Sequence, residues 1–322
     1  MAKKPRVLVT RKLPQTVEDK LSENFDTILN PDDSLYSTDE LLRLSKNVDA
    51  ILPCHTEKFP AQTIAGLPAQ VKAIANYSVG VDHVDLEAAK RKNIIVTNTP
   101  DVLSDATAEI AMLLMLGAAR RASEGERLIR NQQWKDWSPA FMVGRQITNK
   151  RLGILGMGRV GQVLARRARG FDMTIHYHNR RPLESNAIEG AKYHADLDEM
   201  LSQIDVLSIH CPASPETSGL LNKQRLAALH SQAIVVNTSR GAVVDDDALV
   251  NALKSGGIGA AGLDVFNGEP DAIHPEYRQL DNVFLLPHIG SATEETREAM
   301  GFRAIDNLIA IFDGREPGDR VA

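Results

Sequence analysis

Short apolar runs of four to seven residues recur along this chain, separated by amphipathic stretches of helical length. Arg6–Thr10, Ala50–Pro53, Val71–Tyr77 and Ile94–Asn98 form one series. Leu152–Leu155, Met173–Tyr177, Val206–His210, Ile234–Asn237, Ala260–Val265 and Val283–Leu286 form a second. Runs of this length read as strands, and strands that do not alternate apolar with polar are covered on both faces. Strands of that kind alternating with helices are βαβ units, so the expected class is α/β with parallel sheets. The length of 322 residues allows two domains.

Between the two series the spacing of Ala108, Ala111, Met112, Met115 and Ala119 predicts one long helix over 105–133, with a strongly charged second half from Arg120 to Arg130. Such a helix either joins two domains or packs against a second subunit. Lys plus Arg total 37 and Asp plus Glu total 42, a net charge of −5, and no block of basic residues occurs. Nucleic acid and membrane surfaces are therefore not expected partners. The longest apolar run, Ile110–Ala119, has ten residues, too few to cross a bilayer. The opening Met-Ala-Lys-Lys-Pro-Arg runs directly into the first strand with no apolar leader, so a cytoplasmic protein is expected. Two cysteines, Cys54 and Cys211, provide neither a disulfide framework nor a zinc cluster, and no metal site is expected.

The sharpest local motif is Gly156-Met157-Gly158-Arg159-Val160-Gly161, between the strand Leu152–Leu155 and a helix through Val163, Leu164 and Ala168. A dinucleotide fingerprint requires this strand–turn–helix setting. Gly156 permits the tight turn, Gly158 lets the backbone approach a pyrophosphate, and Gly161 lets the helix pack closely on the strand; the helix N-terminus attracts the phosphate charge. Past the next strand, an acidic residue would bind the ribose 2′-hydroxyl of NAD. Asn179, 18 residues after Gly161, occupies that place uncharged, and Arg180 and Arg181 follow it. A carboxylate repels a 2′-phosphate, whereas an arginine fork binds one, so NADP(H) is expected to be preferred, with NAD(H) also possible. The plain alternative is two solvated arginines on a loop.

In open α/β sheets function gathers at the carboxyl ends of strands. Here those ends carry His210-Cys211-Pro212, Thr238-Ser239-Arg240-Gly241, Asp264 leading to Gly268-Glu269-Pro270, and Pro287-His288-Ile289-Gly290-Ser291. An arginine can clamp the carboxylate of a 2-oxo acid and polarise its ketone. A histidine can give a proton to the developing alkoxide, and a paired carboxylate holds a histidine's tautomer and favours its charged form. Singly, His288 reads equally as a bonded core histidine, Glu269 as a turn residue and Arg240 as an ion-pair partner.

Together these stretches resemble the D-2-hydroxyacid dehydrogenase family, in its glyoxylate/hydroxypyruvate reductase branch. With Asn76–Asp82 and Gly262–Phe266 they occur in the family's order over nearly the whole chain. The resemblance implies two Rossmann/flavodoxin-like, doubly wound parallel-sheet domains with the active site in the cleft between them. Residues 1–100 and 290–322 would form the substrate domain, and 101–289 the inserted cofactor domain. It further implies that Arg240 binds the substrate carboxylate and ketone oxygen, that His288 is the acid/base and that Glu269 pairs with it. Ser78, Val79, Gly80 and Ser291 would meet the substrate. Met157, Arg159, Val160 and the glycines would meet the cofactor, as would Asn179, Arg180 and Arg181. So would Thr107, Asp264 and Gly290 near the nicotinamide, His210, Cys211 and Pro212 on the adenosine side, and Thr217, Thr238 and Ser239, with Cys211 not a reactive thiol. The family's long helix and following arm, here Trp134–Arg145, imply a homodimer in which Trp134, Trp137 or Phe141 reaches the partner's active site. With no extra regulatory domain expected after Ala322 and no acid at Asn179, the phosphoglycerate dehydrogenase branch fits less well; Glu269 speaks against formate dehydrogenase. The expected activity is NADPH-preferring reduction of glyoxylate, hydroxypyruvate or 2-keto-D-gluconate to D-2-hydroxy acids. A second class of reading is a dinucleotide-sensing corepressor that binds partner proteins with little turnover, since fold alone does not settle function.

Overall fold

The computed structural model describes residues 4–184 and 187–322. The chain divides into two compact units, one made of residues up to Leu103 together with Ser291–Ala322, the other of Ser104–Gly290.

The first unit is built on five parallel strands: β1 (Arg6–Val9), β2 (Asp26–Ile28), β3 (Ala50–Leu52), β4 (Ala73–Ala75) and β5 (Ile95–Thr97). Their order is β2-β1-β3-β4-β5, and Val7 lies opposite Ala50 in the β1–β3 register. The strand period of two decides which side each residue serves. Val7, Val9 and Leu52 pack with Met300 and Leu308 of the helix Glu294–Phe312. Leu8, Ile51 and Ile74 pack on the opposite face with Phe59 and Ile64. Ile51, Leu52 and Ile74 are fully buried, each burial contributing about 1.5–3 kcal/mol.

The second unit has seven parallel strands: β6 (Arg151–Leu155), β7 (Thr174–His178), β8 (Lys192–His194), β9 (Val206–Ile209), β10 (Ile234–Asn237), β11 (Ala260–Leu263) and β12 (Val283–Leu285). Their order is β12-β11-β10-β9-β6-β7-β8, so the winding reverses between β6 and β9. β9 and β10 are buried along their whole length, which is why their sequences read as unbroken apolar runs. Both sheets are doubly wound and parallel, the α/β class that the alternating pattern predicts. The three-residue edge strands β2 and β8 do not stand out in the sequence. Half-exposed and polar, Asp-Thr-Ile and Lys-Tyr-His carry no apolar run.

The single helix expected over 105–133 is two. Ser104–Ala119 is one helix and Ala122–Arg130 another, parted at Arg121, whose φ is +54°. Arg145 N donates to Ala119 O at 2.7 Å, taking a carbonyl at the end of the first helix. Arg121 turns back to pair with Glu124 through Nε and Nη2, both at 2.8 Å. Eleven of the 16 residues of the first helix are buried, whereas the second buries none. The break lies where the apolar helix becomes a charged one, with no Gly or Pro in the sequence to mark it.

Candidate active site

The larger sheet positions two sets of polar groups at its carboxyl edge. The first lies at the β6/β9 reversal, where open α/β sheets bind ligands. Gly156 leaves β6 with φ +97°, a region closed to most L side chains, and a Cβ there would meet Cys211 N at 2.6 Å. Gly161 lies 2.5 Å, measured from its would-be Cβ, from Gly156 O, so the helix Arg159–Ala168 starts hard against the turn. A Cβ on Gly158 would have nothing within 4 Å. The turn thus presents an open stretch of backbone capped by the N-terminus of a ten-residue helix, a cradle suited to a dinucleotide pyrophosphate. Arg159 and Val160 occupy the first turn of that helix, and Met157 is buried beneath it.

Asn179, just beyond β7, is tied to the turn. Its Oδ1 accepts from Met157 N at 2.7 Å, and its carbonyl accepts from Tyr193 Oη at 3.2 Å. Arg180 and Arg181 are exposed beside it. Across the reversal, the His210 ring is bonded on both nitrogens, by Ser208 Oγ at 2.8 Å and Thr238 Oγ1 at 3.1 Å. Burial pushes His210 down to about 4, so it is neutral at neutral pH. Burial likewise pushes Cys211 up to about 11, so its thiol stays protonated. Pro212 O accepts from Thr217 Oγ1 at 2.7 Å, closing the loop after β9.

The second set comes from β10, β11 and β12, adjacent in the sheet. Asn237 ends β10, and its Oδ1 accepts from Ser239 N and Ser239 Oγ, both at 3.0 Å. Its Nδ2 donates to Arg240 O at 3.0 Å. The Arg240 side chain, half-buried, donates Nη1 to Ser239 O at 2.8 Å. Next to it, a Cβ on Gly241 would lie 2.0 Å from Phe266 C. The arginine turn is therefore packed directly onto the backbone that leads to Glu269. Glu269 Oε2 accepts from Phe266 N at 2.9 Å, and Oε1 meets His288 Nδ1 at 2.5 Å. A carboxylate in this pair accepts, so Nδ1 carries the proton facing it and Nε2 is the ring's other working atom.

Asp264 holds the turn that carries His288. It is 1% exposed, and its two carboxylate oxygens accept from Ile289 N and Gly290 N, both at 2.8 Å. Burial raises its pKa, opposed by these amides and by the His288 charge. Thr107 Oγ1 donates to Gly290 O at 3.1 Å, fixing the same turn from the helix Ser104–Ala119. The structure thus gives Asp264 and Thr107 a defined positioning task. Ser208 and Asn237 share that kind of task, and each interrupts a buried strand with a polar residue, the signal that marks them in the sequence.

Ser78, Val79, Gly80 and Ser291 belong to the first unit. Ser78 Oγ donates to Gly80 O at 2.7 Å, Thr99 N to Ser78 O at 3.0 Å and Asn98 Nδ2 to Val79 O at 2.9 Å. These bonds fix a tight turn after β4 from which the Val79 side chain projects.

Residues 112–290 match the family model for the D-isomer specific 2-hydroxyacid dehydrogenase, NAD binding domain. The chain belongs to the D-isomer-specific 2-hydroxyacid dehydrogenase family. It is 44% identical to a glycerate dehydrogenase of Hyphomicrobium methylovorum over 97% of this chain and 98% of that one. Identity to a glyoxylate reductase of Thermococcus onnurineus is 42%, over 98% of this chain and 95% of the other. Among solved structures, an NADPH-dependent glyoxylate/hydroxypyruvate reductase from Sinorhizobium meliloti, in complex with NADP and malonate, superimposes with a TM-score of 0.88 at 34% identity, over 99% of this chain and 97% of that one. These similarities place the chain in the glyoxylate reductase branch. This family member is an oxidoreductase that binds a nicotinamide dinucleotide and reduces 2-oxo acids. No helix among the described residues is long and apolar enough to cross a membrane.

Proposed function

We propose that the protein is an NADPH-preferring reductase of small 2-oxo acids, glyoxylate and hydroxypyruvate first and 2-keto-D-gluconate next, forming D-2-hydroxy acids. The observation that carries the chemistry is the His288 Nδ1–Glu269 Oε1 contact at 2.5 Å, on a turn packed against the one bearing Arg240. The Arg240 guanidinium binds the substrate carboxylate and draws electron density from the ketone oxygen. His288 Nε2 gives its proton to that oxygen as it gains charge, while Glu269 keeps the ring oriented and stabilises its charged form. The Gly156–Gly161 turn would hold the dinucleotide, which when bound would supply the hydride. Val79 and Gly80 bind the substrate carboxylate through backbone amides, and Ser78 and Ser291 lie near the substrate. Gly156, Met157, Gly158, Arg159, Val160 and Gly161 hold the pyrophosphate. His210, Cys211, Pro212, Thr217, Thr238 and Ser239 line the adenosine and ribose side, with Thr107, Asp264 and Gly290 behind the nicotinamide. The units read as a substrate domain and an inserted cofactor domain.

NADPH is favoured by Asn179, whose Oδ1 is spent on Met157 N, and by exposed Arg180 and Arg181, ready for a 2′-phosphate. A homodimer is supported by Leu113, Ile129, Trp134, Trp137, Phe141 and Val143, all between 41% and 71% exposed, large apolar side chains of the kind that subunit contacts cover. The test is product analysis. Purified protein with NADPH and hydroxypyruvate is expected to yield D-glycerate, and with glyoxylate to yield glycolate. No turnover of any 2-oxo acid, together with dinucleotide-dependent capture of a partner protein, would replace this reading with a sensor.

A further inference from the structure

The amides of Val79 and Gly80, proposed above as ligands of the substrate carboxylate, lie in a turn whose three carbonyls are taken. Ser78 O accepts from Thr99 N at 3.0 Å, Val79 O from Asn98 Nδ2 at 2.9 Å and Gly80 O from Ser78 Oγ at 2.7 Å. In a trans peptide the carbonyl and the following N–H point in opposite directions, so fixing one aims the other. The bond to Ser78 O therefore aims Val79 N, and the bond to Val79 O aims Gly80 N. The first comes from backbone and does not depend on the Thr99 side chain. The second depends on the side chain of Asn98, to which the mechanism above gives no role.

Asn98 is itself held from behind. It follows β5, and its N donates to Asp319 O at 3.2 Å. Asp319 opens a segment that runs antiparallel beside β5 after the helix Glu294–Phe312. There Val321 N donates to Val96 O at 2.8 Å and Val96 N to Ala322 O at 3.0 Å. The Asp319 side chain is 7% exposed and takes Arg303 in a two-point fork, Nε to Oδ2 at 2.8 Å and Nη2 to Oδ1 at 2.7 Å. Asn307 Nδ2 donates to Asp319 Oδ2 at 3.0 Å, and Asn307 Oδ1 accepts from Asp319 N at 3.2 Å. Bidentate arginine–carboxylate pairs fix geometry as well as adding energy. The long helix thus holds Asp319, Asp319 holds the Asn98 backbone, and Asn98 holds the Val79–Gly80 peptide, all within the first unit.

We infer that Asn98 is a positioning residue for substrate binding: its side-chain amide sets the direction of Gly80 N, and through it the affinity for the substrate carboxylate. A hydrogen bond weakens steeply as it bends, so an amide that is free to rotate away binds an anion poorly. The inference rests on the reading of Val79 and Gly80 as carboxylate ligands and adds the residue that aims them.

The experiment measures glyoxylate reduction with NADPH, and inhibition by oxalate competing with glyoxylate, in the wild type, Asn98→Ala and Asn98→Asp. Asn98→Asp keeps the size of the side chain and removes the donor, so the bond is tested even where the smaller variant disturbs packing. In both variants the KM for glyoxylate and the Ki of oxalate are expected to rise together by about five- to tenfold, the worth of one hydrogen bond. The kcat and the KM for NADPH are expected to stay within about twofold of the wild type. A lower kcat or melting temperature with KM and Ki unchanged would make Asn98 a purely structural residue and overturn the assignment, leaving the 2-oxo acid reading intact. So would a rise in KM with the oxalate Ki unchanged. A wild type that neither reduces glyoxylate or hydroxypyruvate nor binds oxalate would overturn that reading and the role of Asn98 with it.

Discussion

Between β6 and β9 the larger sheet ends in Gly156-Met157-Gly158, and a Cβ on Gly158 would touch nothing. Between β1 and β3 the smaller sheet ends in Thr10 and Arg11, beside a loop held by buried Glu57. The two reversals follow one rule of topology and present opposite materials. A pyrophosphate needs bare amides and a helix start, and any side chain on the turn would occupy its place. A small acid is chosen by side chains of defined chemistry, and those need a rigid support. The difference teaches that winding decides where the loops gather, while the residues of each loop decide whether it offers bare backbone or held side chains.

The largest expected effect lies at the proton donor. His288→Ala should lower kcat by about 10²- to 10⁴-fold with little change in melting temperature, and Glu269→Ala should lower it less, because the ring remains but is no longer oriented. A His288→Ala enzyme with undiminished kcat would remove the assignment.

Two glycines separate packing from ligand space. Gly241→Ala forces a Cβ to 2.0 Å from Phe266 C, which should cost about 1–3 kcal/mol or more and show as a lower melting temperature with lost activity. Gly158→Ala meets no protein atom within 4 Å. It should melt like the wild type yet bind the dinucleotide about tenfold more weakly by calorimetry, a loss of about 1.4 kcal/mol. Equal melting losses in both variants would erase the distinction between a packed turn and an open cradle.

How much of this is legible in the residues follows the same division. The buried strands, the glycine turn and the rim residues Arg240, Glu269 and His288 stand out because their chemistry is unusual for their place. The edge strands β2 and β8 do not, since polar three-residue segments look like loops. The break at Arg121 is set by Arg145 N reaching Ala119 O, a contact 26 residues away in the chain that no local pattern records. The family resemblance implies that Asp264 lies near the nicotinamide, and only the fold shows its two oxygens taken by Ile289 N and Gly290 N.

A smaller effect is expected with pH. Burial depresses His210 in the folded state to about 4, below its unfolded value of about 6.5. Its stabilising contribution is complete above pH ~6.5 and is lost as pH falls towards 4, by about 3 kcal/mol. Denaturant melts of the wild type and His210→Gln across that window should diverge at neutral pH and converge on the acid side. Parallel curves would place the acid loss elsewhere.

The smallest change falls on cofactor choice. Arg180→Ala should raise the KM for NADPH about tenfold and that for NADH much less, the outcome that the proposed 2′-phosphate contact requires; equal shifts would sink that role. The most direct test of the whole reading is initial-rate oxidation of NADPH and NADH in parallel, with glyoxylate and hydroxypyruvate as acceptors. Rapid turnover of both acids with kcat/KM at least about tenfold higher for NADPH is the expected result. A clear preference for NADH would contradict the reading of Asn179-Arg180-Arg181, and no turnover with either cofactor would contradict the proposed reduction of these acids.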